Sequence, residues 1–313
     1  MRVDAVRLGV SACLMGEKTR YDGSDKLDPL IVGALGRHVR LVPVCPEVEC
    51  GLGVPREPMR LEQSGAGQRL VTVKTREDLT SAMERTASAI LEKLEKEGLW
   101  GFISKGRSPT CGSAVAVWGA GARLKRKGIF MAAWEERFPL LPSEDAERIH
   151  SPEGRSHFIA RLFTFKRWRE TVGKGAGAGA LKDFHAGHTL LLLAHSEAYF
   201  RKMEMLVAAS GAGSLTEAQL TAAYGRLLPG ALAKRATRAG HTRALRLASA
   251  HLEGIWTAKE KRETEGGIAA FRSGLAPPID PRVLLRCYAQ KYDAPFLKGQ
   301  YYLNPDPAEA MLL

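Results

Sequence analysis

The chain has 313 residues, 46 Lys+Arg against 34 Asp+Glu for a formal net charge of +12, and 45% hydrophobic residues. That apolar share supplies packed cores and excludes wholesale disorder, while the longest apolar runs, such as "TLLLLAH", fall far short of the ~20 residues a membrane span needs. Five cysteines, Cys13, Cys45, Cys50, Cys111 and Cys287, are an odd number, and in a reducing cytoplasm no disulfide framework is expected; they form no CxxC pair, which argues against a zinc ribbon or a thioredoxin-like site.

The opening "MRVDAVRLGVSACL" lacks a long apolar core after its basic residue and reads as a first strand rather than a leader, which predicts a cytoplasmic protein. "HVRLVPVCPE" is a second, valine-rich strand closed by Cys45 and Pro46. In "REDLTSAMERTASAILEKLEKEGLW" the residues Leu79, Met83, Ala87, Ile90, Leu91 and Leu94 share one helical face, with Thr75 as the cap. "LWGFISK" follows as a third strand and "GIFMAAW" as a fourth. Strands separated by helical patterns predict an α/β domain with a mostly parallel, Rossmann-like sheet.

Around residues 139–156, "PLLPSEDAERIHSPEGR" is rich in proline, charge and turn formers and marks the expected boundary between domains 1–150 and 151–313. Beyond it nearly every segment has helical spacing, so the second domain is expected to be all-α. Residues 173–180, "GKGAGAGA", follow a helix instead of a strand and therefore read as a flexible connector, not a phosphate loop.

The charge is uneven. Residues 1–150 hold 23 Lys+Arg against 20 Asp+Glu, and residues 151–313 hold 23 against 14. A basic second half favours a polyanionic partner, since phosphate neutralisation releases condensed counterions. Two candidate RNA-binding patches follow: Lys166, Arg167 and Arg169 around Trp168, and the run Lys234, Arg235, Arg238, Arg243 and Arg246, read as three turns of one helix without an intervening acid. His185, His188 and His195 lack a completing acidic ligand, so core or solvent-facing histidines are expected over a metal site. Cys287 is expected to pack within a helix.

Cys13, Cys45 and Cys111 each lie at or just past the end of an expected strand. In an open parallel sheet, ligands bind outside the carboxyl ends of the strands, so three cysteines distant in sequence converge on one edge. Three thiolates suit an open zinc site or an iron–sulfur cluster, and three small buried hydrophobes are the plain alternative.

The stretches "SACLMGEKTRYDG", "VPVCPEVECGLGVPREPMRL" and "ISKGRSPTCG" resemble the three signatures of the TudS-type thiouracil desulfidases, and "LKDFHAGHTLLLLAH", "HLEGIW", "RVLLRCYAQKY" and "GQYYLNPDP" resemble a YbgA-like helical domain. The fusion is similar to enzymes that remove sulfur from 4-thiouridine in transfer RNA. The resemblance implies a 4Fe-4S cluster held by Cys13, Cys45 and Cys111, with one iron free to take the thiocarbonyl sulfur, and a sulfur released as hydrosulfide without net redox change. It also implies Glu47 as the catalytic acid/base and Ser108 as its hydrogen-bond partner or proton relay. Ser11, Lys105 and Arg107 beside the cluster loop would meet the substrate, either RNA-borne or a free thiouracil-type base. Without the resemblance, Glu47 reads first as a residue that caps or terminates a strand and Ser108 as a Ser-Pro turn initiator, with Glu49 as a competing carboxylate. Cys50 departs from the family pattern, which often has glycine there.

Overall fold

The computed structural model describes residues 6–65, 67–119, 124–172, 177–210, 215–277 and 279–312. The chain divides into two compact units, Met1–Phe165 with Met311–Leu313, and Lys166–Ala310.

The first unit is built on β1 (Arg7–Ser11), β2 (Arg40–Val44), β5 (Gly101–Ser104) and β8 (Ser143–Asp145), in the order β2-β1-β5-β8. All three pairings are parallel. This is the expected Rossmann-like sheet, with β1 central and the chain crossing to either side of it. The helix α2 (Thr80–Glu97) buries Met83, Ala87, Ile90, Leu91 and Leu94, the apolar stripe read from the sequence, with each of the larger four worth about 1.5–3 kcal/mol when fully removed from water. It starts later than expected. Thr75 instead bonds Thr72 and Glu57, and the Asp78 carboxylate accepts the Thr80 amide at the helix start.

"GIFMAAW" is not a strand. It forms α3 (Ile129–Arg137), which buries Ile129, Phe130, Met131 and Trp134. A short apolar run without alternation fits a buried helix as well as a buried strand, and here Phe130 and Trp134 pack on Phe102 of β5 with ring centroids 5.4 and 5.1 Å away. The fourth parallel strand is β8, from the proline- and charge-rich segment, followed by α4 (Ala146–Ile149). A second sheet was not legible as strands: β3 (Met59–Ser64), β4 (Gly67–Thr72), β6 (Val115–Trp118) and β7 (Lys125–Arg126), in the order β4-β3-β6-β7. Its charged residues conceal the pattern, because Glu62 is buried by pairing with arginines.

The division between the units falls within α5 (Pro152–Thr171). The second unit continues through α6 (Gly177–His195), α7 (Glu197–Ala209), α8 (Glu217–Ala231), α9 (Arg238–Ala250), α10 (Ala258–Ser273) and α11 (Ile279–Lys291) to the short α12 (Pro295–Lys298) and α13 (Pro307–Ala310). Ser196, Thr216, Thr237 and Thr257 cap α7 to α10 with their side-chain oxygens, each cap contributing about 1 kcal/mol. Of the expected connector, residues 173–176 lie outside the described residues, and Gly177–His195 is already helix. No described helix is long and apolar enough to cross a membrane.

Candidate active site

Because β2, β1 and β5 are adjacent and parallel, their carboxyl ends open on the same edge. Cys13 lies in the 3-10 turn Ala12–Met15 directly after β1. The turn is closed by Gly16, whose φ of 90° is a left-handed conformation that favours glycine. Cys45 follows β2 as the residue before α1 (Pro46–Glu49), where Pro46 takes the first helical position without losing a needed amide bond. Cys111 sits in the loop after β5. There the Ser108 hydroxyl accepts the amides of Thr110 and Cys111, at 3.3 and 3.2 Å, and folds the Ser-Pro turn. A Cβ on Gly112 would lie 2.9 Å from both the Arg107 amide nitrogen and the Ser108 carbonyl oxygen, so only glycine closes this loop.

These ends line a cavity of about 280 Å³ that contains Cys13, Cys45, Cys111, Glu47, Ser108, Ser11, Lys105 and Arg107, near the small end of the roughly 300–1,000 Å³ usual for ligand sites. The structure thus brings together every residue expected around the cluster loop. Glu49 is exposed and Cys50 packs against a separate apolar cluster around Leu61 and Met83, and neither lines the cavity.

Burial governs the thiols. Cys13 is pushed up to about 11, chiefly by desolvation and then by the neighbouring Cys45 and Glu47 charges, with Lys105 and Arg20 opposing. Cys45 and Cys111 are raised by the same desolvation. Thiolates here therefore call for a compensating cation, such as a metal centre. Among the described residues no group of three or more His, Cys, Asp or Glu side chains is placed to hold a single metal ion. Three thiols round one cavity are soft donors of the kind that zinc and iron–sulfur centres take.

Glu47 is held from two sides. Arg56 donates from Nε to its Oε2 at 3.0 Å, pairs with the same oxygen through Nη2, and also donates to the carbonyls of Thr19 at 2.8 Å and Gly53 at 3.2 Å. The Thr110 hydroxyl donates to Oε1 at 2.7 Å. Ser108 is 3.4 Å from that oxygen and 2.9 Å from the Thr110 hydroxyl, so its connection to Glu47 runs best through Thr110. Both Arg56 and Glu47 are largely buried, at 7% and 14% side-chain exposure, which marks the pair as costly to break. Sequence reasoning missed Arg56 and Thr110. The signals were an arginine nine residues after Glu47 in "GVPREP" and a second hydroxyl in "SPTC".

The flanking polar residues divide. The Ser11 hydroxyl, 3% exposed, accepts the Lys105 amide at 2.9 Å and ties the ends of β1 and β5 together. Lys105 Nζ donates to the Gly106 carbonyl at 2.6 Å. Arg107 reaches outward, its side chain 85% exposed.

In the second unit the expected patches need correction. Arg167 is not a surface cation: it is 5% exposed, paired with Asp306 and Glu309, and its guanidinium lies 3.7 Å from the Tyr301 ring centroid. Trp168 is core, stacked on Tyr224 at 5.3 Å. Lys166 bonds Glu170, and Arg169 is half-buried, its charge disfavoured by desolvation. The basic run is not one helix: Lys234 and Arg235 precede the Thr237 cap, and Arg238, Arg243 and Arg246 lie on α9. Arg243 pairs with Glu197 at 2.9 Å, and Arg238 lies over the Phe271 ring. Lys234, Arg235 and Arg246 are exposed. His185 and His188 are buried, bonded to the Tyr224 hydroxyl and the Phe184 carbonyl, and His195 bonds the Leu191 carbonyl. Cys287 is exposed on α11 rather than packed.

Comparison with known proteins accords with this division. Residues 8–146 match the family of 2-thiouracil desulfurases, and residues 190–307 match a family described only as protein of unknown function, DUF1722. The uncharacterized protein YbbK of Bacillus subtilis (strain 168) is 29% identical over 130 residues, 39% of this chain and 85% of its own. The uncharacterized protein YbgA of Escherichia coli (strain K12) is 24% identical over 146 residues, 47% of this chain and 86% of its own. A solved structure of the 4Fe-4S-dependent thiouracil desulfidase TudS is 28% identical, with a TM-score of 0.39, covering 46% of this chain and 93% of that one. The first part of the chain is thus similar to the 2-thiouracil desulfurases, and the second to YbgA and the DUF1722 family.

Proposed function

We propose that this chain is a hydrolytic, non-redox desulfidase that converts 4-thiouridine in transfer RNA to uridine and releases hydrosulfide in the cytoplasm. The observation that carries the reading is the meeting of three thiols, from three neighbouring strand ends, with a doubly held carboxylate in one cavity. That donor set fits a 4Fe-4S cluster. Cys13, Cys45 and Cys111 would hold it, and when bound with one iron free of protein ligands it supplies Lewis acidity toward the thiocarbonyl sulfur.

The chain's own residues do the rest. Water attacks the ring carbon that bears sulfur, so that a C–O bond forms as the C–S bond breaks. Glu47 accepts the water proton at Oε1, because Oε2 is committed to Arg56. The Thr110 hydroxyl, linked to Ser108, steadies that oxygen and gives the proton a path out of the site. Oxygen stays on the ring, one of the two water protons leaves with sulfur as hydrosulfide, and the other goes to solvent. Lys105 and Arg107 stand where a pyrimidine oxygen or the phosphate of its nucleotide would be met, and Ser11 fixes the backbone that carries Lys105.

The basic second half, with Lys234, Arg235 and Arg246 exposed, supports an RNA-borne substrate. The small cavity favours a second reading, a desulfidase of free thiouracil or thiouridine. The test is anaerobic incubation of cluster-loaded full-length protein with thiolated transfer RNA and, separately, with free thiouracil, measuring hydrosulfide and residual 4-thiouridine. Turnover of the RNA supports the proposal. Turnover of the free base alone supports the second reading, and neither would sink both.

A further inference from the structure

The solvent face of the second sheet in the first unit has a composition that the cavity chemistry does not use. Glu62 on β3 is the register partner of Arg69 on β4 and of Trp118 on β6, so the three side chains stand on one face. Arg60, two residues before Glu62 on β3, shares that face. Its guanidinium lies 4.8 Å from the centroid of the Trp118 ring, while the indole remains 59% exposed. An exposed indole with a guanidinium beside it is an aromatic surface already primed with positive charge.

Glu62 organises the charge. Arg60, Arg69 and Arg76 all pair with its carboxylate, at 2.8 Å and 3.3 Å for the first two. Arg76 and Arg60 hold the Glu62 carboxyl down at about 2. One buried carboxylate thus anchors three guanidiniums, and Arg69 and Arg76 keep side-chain exposures of 43% and 45%. Lys125 on β7, partner of Ala116 on β6, adds a further exposed cation. Asp78 also senses Arg69, but its carboxylate is occupied by Thr80. Four cations therefore outnumber the carboxylates around a flat exposed ring. Anchored guanidiniums lose less conformational freedom when they meet a phosphate.

We propose that this sheet face is a contact surface for single-stranded RNA, with a base stacking on Trp118 and phosphates meeting Arg69, Arg76 and Lys125. A negative, aromatic-rich polymer is the occupant that matches both features at once, whereas an acidic polypeptide uses only the charge. The inference deepens the RNA-borne form of the reading above and rests on it for its biological sense.

The test uses the full chain and a fluorescein-labelled single-stranded 12-mer of uridylate, with fluorescence anisotropy read over a salt series. Wild-type protein is expected to bind. Trp118→Ala is expected to weaken binding about 10-fold or more, and Arg69→Gln together with Arg76→Gln to flatten the logarithmic salt slope by about 1.4, two contacts at ~0.7 each. Unchanged melting temperatures show that the variants fold. Equal affinity for wild type and Trp118→Ala would overturn the proposal, as would tighter binding to polyglutamate than to the oligonucleotide. Binding is read without turnover, so a protein that desulfurises nothing leaves this test intact, and loss of RNA binding leaves free-base turnover to be judged separately.

Discussion

Both units bury ionisable groups, and they do so to opposite ends. In the first, Glu47 meets Arg56 and Thr110 at the wall of a cavity, with one carboxylate oxygen tied to a guanidinium and the other facing hydroxyls. In the second, Arg167 is closed between Asp306, Glu309 and the Tyr301 ring, and His185 and His188 are packed among Phe184, Phe200 and Tyr224. The same residue types line an open cavity in one place and brace a packed core in the other. What separates them is access: a partnered charge beside open volume can exchange a proton with a ligand, and a partnered charge inside a packed core cannot.

The comparison breaks most sharply at Glu47. Glu47→Gln keeps the shape but removes the base, and turnover is expected to fall about 10²–10⁴-fold, with the iron and sulfide content of anaerobically prepared protein unchanged. Arg56→Ala and Thr110→Val should lower turnover less, while Arg56→Lys and Thr110→Ser recover part of it. If Arg56→Ala matched wild type, the held carboxylate would have no bearing on the reaction.

At the corresponding brace, Arg167→Ala leaves Glu309 buried and uncompensated and is expected to cost about 3–5 kcal/mol of stability. Chemical denaturation followed by circular dichroism measures it. A loss below about 1 kcal/mol would mean that the brace is relieved by rearrangement.

A smaller effect concerns acid. Burial holds His185 and His241 down to about 4 and His188 to about 3, against an ordinary value of 6.5. Between these values the unfolded chain binds more protons than the folded one, so stability falls as pH drops from about 6.5 toward 4. Urea midpoints across that range should decline, and His185→Gln should flatten the decline.

The smallest effect is chemical accessibility. Cys287 is exposed whereas Cys13 and Cys111 are buried, so iodoacetamide should label Cys287 first in metal-free protein, as mass spectrometry of peptides will show.

Much of the site was legible because its chemistry is concentrated in short stretches. Cys13 and Cys45 close strands, and Cys111 lies in the loop after a third, all with apolar runs plain in the sequence, whereas Glu47 and Ser108 stood out only through the family resemblance. The stripe from Met83 to Leu94 was equally plain, because local periodicity alone decides which face of a helix is apolar. Local patterning was enough for the class of each unit, the strand ends near the thiols, and the basic bias of the second half.

Tertiary structure decided the rest, since burial and pairing are not local properties. "GIFMAAW" became α3 because Phe102 offered aromatic packing for Phe130 and Trp134. Arg167 left the surface because Asp306 and Glu309, more than a hundred residues away, fold over it. Arg56 and Thr110 acquired meaning only when the fold brought both to one carboxylate. A residue's type states what interactions it can make; only the folded chain fixes which partner and how much water it keeps.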